Sequence, residues 1–245
     1  MIRFSNIPLV SKKTVILMSA AVLGAISLVS CSESKTPVVM VESSPSTQQT
    51  VQPESPTLQN LQKAYNGESN AHVMYLAFAQ KADEEGYKGV ASLFRAAAAA
   101  EAIHRDNHAK VIQAMGATPQ STIVQPDVKS TSENLQQSIN GGATLEGLNK
   151  AIKGESYERD SMYPGFIEQA KAEGNQTAVQ TFSYALAAET QHAQLYTQAK
   201  NNLEKWRNQT HSFNVCNVSG ETTMVEDGTP KCPTDGSRAG FEKVS

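Results

Sequence analysis

Two short motifs carry the chemistry available to this sequence. Glu101 and His104 stand three residues apart after an alanine run, "AAAAAEAIH", and Glu189 and His192 repeat that spacing in "ALAAETQH". On a helix, positions i and i+3 share a face, so each carboxylate and imidazole can grip a common centre. Hard carboxylates with borderline imidazoles suit iron or manganese, and bridging glutamates can hold two cations close together. With 18 glutamates and 5 histidines in 245 residues, chance supplies about 0.4 such pairs, so one match is weak. Two at equivalent positions of a repeat are not.

The elements that must position these residues are helices. Apolar residues recur at helical spacing from about residue 57 to Gly86, from about Tyr87 to Met115, through 144–174, and from about Gln176 to Trp206. Four helices of roughly 27–31 residues, each about 40–46 Å long, make a bundle. A repeat organises it: Tyr75, Phe78, Gly86, Phe94, Glu101 and His104 return 88 residues later as Tyr163, Phe166, Gly174, Phe182, Glu189 and His192. Glu68 returns as Glu155, only 87 residues on. The eight residues from Glu155 to Tyr163 would turn the tyrosine about 100° further round a regular helix than the seven from Glu68 to Tyr75. A π-bulge near 156–163 is therefore expected, with Pro164 where a widened turn tolerates the missing donor. Between the second and third helices, "SENLQQSIN" reads as a short helix, and Gly141–Gly142 then breaks the chain.

One glutamate from each of two helices and Glu-x-x-His from each of the other two is the di-iron carboxylate pattern of ferritin-like proteins. "GESYERD" adds Glu158, three residues after Glu155, where the matching "GESNAHV" has no acid. With that acid, the sequence over about 57–207 and again in the tail resembles a rubrerythrin. The resemblance implies an all-α, ferritin-like four-helix bundle with a long crossover, plus a small irregular or β rubredoxin-like tail. It implies two iron ions, with manganese as an alternative, held by Glu68, Glu101, Glu155, Glu158, Glu189 and His192. On reduction His104 replaces the carboxylate of Glu158. Tyr75 and Tyr163 match tyrosines that stand behind the ligands. The implied reaction is reduction of hydrogen peroxide, in a chain paired with a second copy. A ferroxidase and a non-catalytic metal-binding lipoprotein remain as alternatives.

The tail departs from the family. Rubrerythrins usually end in two Cys-x-x-Cys pairs around one iron, but here the frame reads Cys216-Asn-Val-Ser219 and Cys232-Pro-Thr-Asp235. Serine and aspartate are poor substitutes in a Cys₄ iron site, so no such iron is expected and electrons must come from a separate donor protein. A Cys216–Cys232 disulfide is expected instead, closing a loop of about 15 residues and contributing on the order of 3 kcal/mol. A weak Cys₂/Ser/Asp metal site is the rival reading.

Ahead of the bundle, Arg3, Lys12 and Lys13 precede the apolar "TVILMSAAVLGAISLVS" and then Cys31. "LVSC" resembles a bacterial lipobox, so 1–30 is expected to be removed and Cys31 lipidated. Residues 31–56, rich in Ser, Thr, Pro and Gln, read as a flexible tether to a membrane, 57–207 as the bundle and 208–245 as the tail. This places the domain outside the cytoplasm, on the periplasmic side in a Gram-negative cell, with Ser32 compatible with the outer membrane. Loss of those three cations takes the net charge from −3 to −6. No basic stripe points to nucleic acid. His72 and His108 read as solvated or capped, with a place behind the metal ligands as the alternative for either, and His211 as a surface residue.

Overall fold

The computed structural model describes residues 55–123, 144–228, 231–233 and 240–245. The leader, Cys31, the tether up to residue 54, "SENLQQSIN", Gly141–Gly142 and Asp235 lie outside the described residues, whereas the last two tether residues, Ser55 and Pro56, belong to the start of the first helix. Helix α1 (Pro56–Glu84) opens with Ser55 Oγ accepting the Leu58 amide at 3.1 Å, and with Pro56 in the first turn, where no amide donor is missed. The chain then reverses into α2 (Lys88–Ala114). No side chain caps α2 at its start. Its Lys88 and Gly89 amides donate instead to the carbonyls of Arg207 and Trp206, at 2.9 and 3.0 Å.

The second helix pair starts with α3 (Thr144–Tyr157), whose Thr144 amide and hydroxyl both donate to Glu85 Oε2, at 2.7 and 2.6 Å. A π-helical turn (Glu158–Met162) follows, then α4 (Tyr163–Ala172). The Tyr163 amide bonds the Glu158 carbonyl five residues back, so the extra residue is taken up where the mismatch of 87 and 88 places it. Asn175 Oδ1 accepts the Ala178 amide at 3.0 Å and starts α5 (Gln176–Asn201). Helix α5 stops short of the expected Trp206. Tight turns over 202–207 free the last carbonyls to cap α2 and bury Trp206.

The apolar interior forms two halves. One gathers Tyr75, Phe78, Phe94, Leu148, Tyr196 and Trp206, the other Leu61, Ile112, Tyr163, Ile167 and Phe182. Repeat equivalents thus sit in opposite halves, as two copies of a helix pair related by a pseudo-twofold would place them. The tail is a three-stranded antiparallel sheet of β1 (Phe213–Cys216), β2 (Thr222–Met224) and β3 (Phe241–Val244), with β1 in the middle. Phe213, Val215 and Met224 join the first half of the core, so the sheet is docked on the bundle. His211 is not a surface residue. Its ring lies 4.4 Å from that of Trp206, and the side chain is 14 % exposed.

Candidate metal centre

Glu68 comes from α1, Glu101 and His104 from α2, Glu155 from α3, and Glu189 and His192 from α5. All six side chains are buried. They form two groups, Glu68/Glu101/His104/Glu189 and Glu101/Glu155/Glu189/His192, and within each the potential ligand atoms lie within 4.8 Å of one another. Glu101 and Glu189 belong to both. Each half has a terminal glutamate and a histidine of its own, and the two shared carboxylates lie between them.

Each of the four carboxylates has one oxygen engaged and one idle. Tyr163 donates its hydroxyl to Glu68 Oε1, and Tyr75 donates to Glu155 Oε1 at 2.5 Å. The pairing is crosswise, each tyrosine holding the glutamate of the other repeat copy. Glu101 Oε2 lies 3.0 Å from His104 Nδ1, and Glu189 Oε2 lies 2.9 Å from His192 Nδ1. The remaining oxygens, Glu68 Oε2, Glu101 Oε1, Glu155 Oε2 and Glu189 Oε1, are buried with no well-aligned hydrogen bond, although Glu189 Oε1 comes within 3.0 Å of His104 Nδ1. Four idle anionic oxygens in a dry interior are costly unless protons or cations occupy the space they share.

The tail decides which imidazole nitrogen faces that space. His104 Nε2 lies 3.0 Å from the Ser219 carbonyl, which can only accept, so Nε2 carries the hydrogen. Thr222 donates its hydroxyl to the Gly220 carbonyl at 2.9 Å, leaving Oγ1 to accept from His192 Nε2 at 3.2 Å. With the hydrogen of each ring fixed on Nε2, Nδ1 is the nitrogen that faces the carboxylates and the one that a metal would take. Gly220 (φ +76°) makes the approach possible, since a Cβ there would run into His104 Nε2. Asn107 Nδ2 adds a bond to the Val218 carbonyl at 2.8 Å.

Burial, reinforced by the neighbouring acids, pushes the Glu101, Glu158 and Glu189 carboxyls well above the ordinary carboxylate range. Burial also acts upward on Glu68, but hydrogen bonding and charge from His108, the charge of His104 and the Tyr163 hydroxyl outweigh it and bring Glu68 below its ordinary value. His104 is raised because Glu189 overcomes the opposing effect of burial. The donor set, oxygen-rich with one imidazole per half, fits two iron or manganese ions.

Glu158, expected as a ligand, is half-buried in the π-helical turn and outside both groups, though its carboxyl feels Glu68, Glu189 and Glu155. His108 is fully buried, not solvated: its Nε2 lies 3.1 Å from the Tyr163 hydroxyl, and Thr181 Oγ1 lies 3.0 Å from its Nδ1. Its position four residues after His104, on the same face, was the available signal. His72 is half-buried, with Nδ1 2.7 Å from the Ala98 carbonyl. Ser219 and Thr222 gave no signal in the sequence. Cys216 is bonded to Cys232, leaving neither thiolate for a metal. Tyr163→Phe, which strips a donor from Glu68 and removes the hydroxyl 3.1 Å from His108 Nε2, is expected to cost the metal-free protein about 1–3 kcal/mol in chemical unfolding.

The rubrerythrin family model matches residues 59–200. Nigerythrin of Nitratidesulfovibrio vulgaris is 38% identical over 178 residues, covering 72% of this chain and 80% of that protein. Rubrerythrin-2 of Clostridium acetobutylicum is 32% identical over 177 residues, covering 72% and 89%. A structure of fully reduced, all-ferrous nigerythrin superposes with a TM-score of 0.63 at 33% identity, covering 81% of this chain and 91% of that one. A bacterioferritin from Desulfovibrio desulfuricans, 18% identical with a TM-score of 0.53, shares the fold.

Proposed function

This chain belongs to the rubrerythrin family, and from that premise we propose that it reduces hydrogen peroxide to water at a pair of iron ions. Family members are di-iron proteins with peroxide reductase activity. The observation that carries the reading is the two four-residue ligand groups sharing Glu101 and Glu189, with one idle buried oxygen on each carboxylate. Glu68 and His104 would hold one ion, Glu155 and His192 the other, and Glu101 and Glu189 both.

Two iron ions bound there supply two reducing equivalents and Lewis acidity, and splitting one peroxide into two waters takes two electrons and two protons. The chain's own residues set the surroundings. Tyr75 and Tyr163 hold Glu155 and Glu68 in place through their hydroxyl protons. Phe94 and Phe182, both fully buried, pack against the rings of Tyr75 and Tyr163 respectively. His104 stands inside the ligand group and Glu158 outside, the arrangement that the family resemblance assigns to the reduced pair. With Cys216 and Cys232 joined, electrons reach the site from a separate donor protein.

Anaerobic stopped-flow mixing of the reduced, iron-loaded protein with peroxide and, separately, with dioxygen tests this. Oxidation is expected to be faster with peroxide. Faster reaction with dioxygen would replace the reading with a ferroxidase. We also infer that Cys31 carries a lipid anchoring the domain outside the cytoplasm, and that two copies pair. Metabolic labelling with a fatty acid, lost in Cys31→Ser, and light scattering of the detergent-solubilised protein check these two points.

A further inference from the structure

We propose that the Cys216–Cys232 disulfide is a redox-active pair, opened by a dithiol reductant at Cys232, and that its dithiol form is an electron reserve for the buried centre. The two sulfurs are unequally placed. Cys216 is buried, whereas Cys232 is half-buried and open to attack. Cys216 Sγ lies 3.4 Å from the amide nitrogens of both Val218 and Ser219, which donate to it. A disulfide sulfur is a weak acceptor, while a thiolate makes strong use of two amide donors. Cys232 Sγ lies 3.1 Å from the Gly240 carbonyl, a spacing suited to a thiol hydrogen that the disulfide lacks. Partners for the reduced form of both sulfurs are thus already in place.

The loop does not depend on the sulfur–sulfur bond to stay docked. Val218 and Ser219, whose amides face Cys216, pass their carbonyls to Asn107 and His104 of α2. A charge appearing on Cys216 is therefore one peptide loop from an imidazole of the centre.

The chemistry balances as follows. A thiolate of the reductant attacks Cys232 Sγ, the Cys216–Cys232 bond breaks, and Cys216 leaves as a thiolate under its two amide donors. The reductant's second thiol then attacks its own sulfur in the mixed disulfide, releasing Cys232 as a thiol and the reductant as a disulfide. One dithiol reductant is oxidised and one tail disulfide reduced. Reclosure of the Cys216 thiolate and Cys232 thiol gives back two electrons, the number that one peroxide consumes, and one of the two protons it needs, the other coming from solvent. This last step rests on the peroxidase reading.

The test uses the full chain loaded with iron and dithiothreitol as the reductant, followed by acid quench, alkylation and mass spectrometry. The pair is expected to open without loss of the near-ultraviolet circular dichroism. Val218→Pro, which deletes one amide donor to Cys216, is expected to shift the dithiol/disulfide equilibrium about 10-fold toward the disulfide. Opening only in denaturant overturns the proposal whether or not the variant folds, and an unshifted equilibrium in a folded Val218→Pro removes its physical basis. For the electron step, the protein is pre-reduced in the tail and its ferric absorbance followed without oxygen. Bleaching in step with disulfide re-formation, absent from Cys216→Ser/Cys232→Ser, is expected. Persistence of the band overturns the reserve. Bleaching in a protein that peroxide does not re-oxidise sinks the peroxidase reading alone.

Discussion

Glu189→Ala is expected to cut the metal content from two ions per chain to one or none, and to lower peroxide turnover more than about 100-fold. The size of the effect follows from sharing. Glu189 stands in both ligand groups, so its loss removes a donor from each half and the carboxylate between them. Glu101→Ala is expected to match it, whereas Glu155→Ala removes a donor from one half only and should leave one ion bound. Elemental analysis beside steady-state peroxide consumption separates these outcomes. Two tightly held ions in Glu189→Ala would show that the carboxylates do not share their cations.

The same crowding sets an unusual pH dependence for the metal-free protein. Glu101, Glu158 and Glu189 have folded-state values well above the ordinary 4.5, so the folded chain holds protons that the unfolded chain has released. Stability therefore falls as pH rises from about 4.5 toward those raised values. His104, raised above 6.5, acts in the same direction: its contribution is full below 6.5 and is lost as pH rises through its folded value. Glu68, lowered, opposes this only in the acid range at and below about 4.5, and His108, lowered by burial, opposes it just below 6.5 but is one group against four. Metal-free protein is thus expected to melt at a higher temperature in mild acid than at neutral pH. The iron-loaded protein should show the reverse, because protons compete with the ions for the same oxygens. Calorimetry of both forms across that range checks the pair of signs.

The second large effect belongs to the tail. Thr222→Val removes the acceptor for His192 Nε2 without altering the strand, and is expected to weaken metal binding about 10- to 100-fold. Gly220→Ala is expected to act through His104, since the added methyl needs the space of Nε2 in a backbone conformation that alanine resists. Either variant should leave the helical content unchanged while lowering the affinity, read by competition with a chelator of known strength. An unchanged affinity in both would mean that the tail covers the site without orienting its ligands.

Much of this molecule was legible in the order of its residues because helices translate spacing into direction. Two Glu-x-x-His pairs 88 residues apart define two faces, the repeat relates them, and the bundle turns them inward. The one-residue mismatch between Glu68–Tyr75 and Glu155–Tyr163 located the π-helical turn, since on a helix a register error is an angular error. Other features depend on distances that spacing does not encode. Glu158 has the helical position of a ligand, but spacing does not tell whether it or His104 joins the groups, and here it is His104. His108 shares the inward face of His104, but only the crossing of α2 with α4 and α5 makes it the partner of Tyr163 and Thr181. The largest gap is the tail. Its fading cysteines were readable, but its carbonyl at Ser219 and hydroxyl at Thr222 meet His104 and His192 across 115 and 30 residues of chain, respectively. Contacts of that kind follow from how a strand-rich loop docks on a finished bundle, and a local pattern of residue types carries no trace of them.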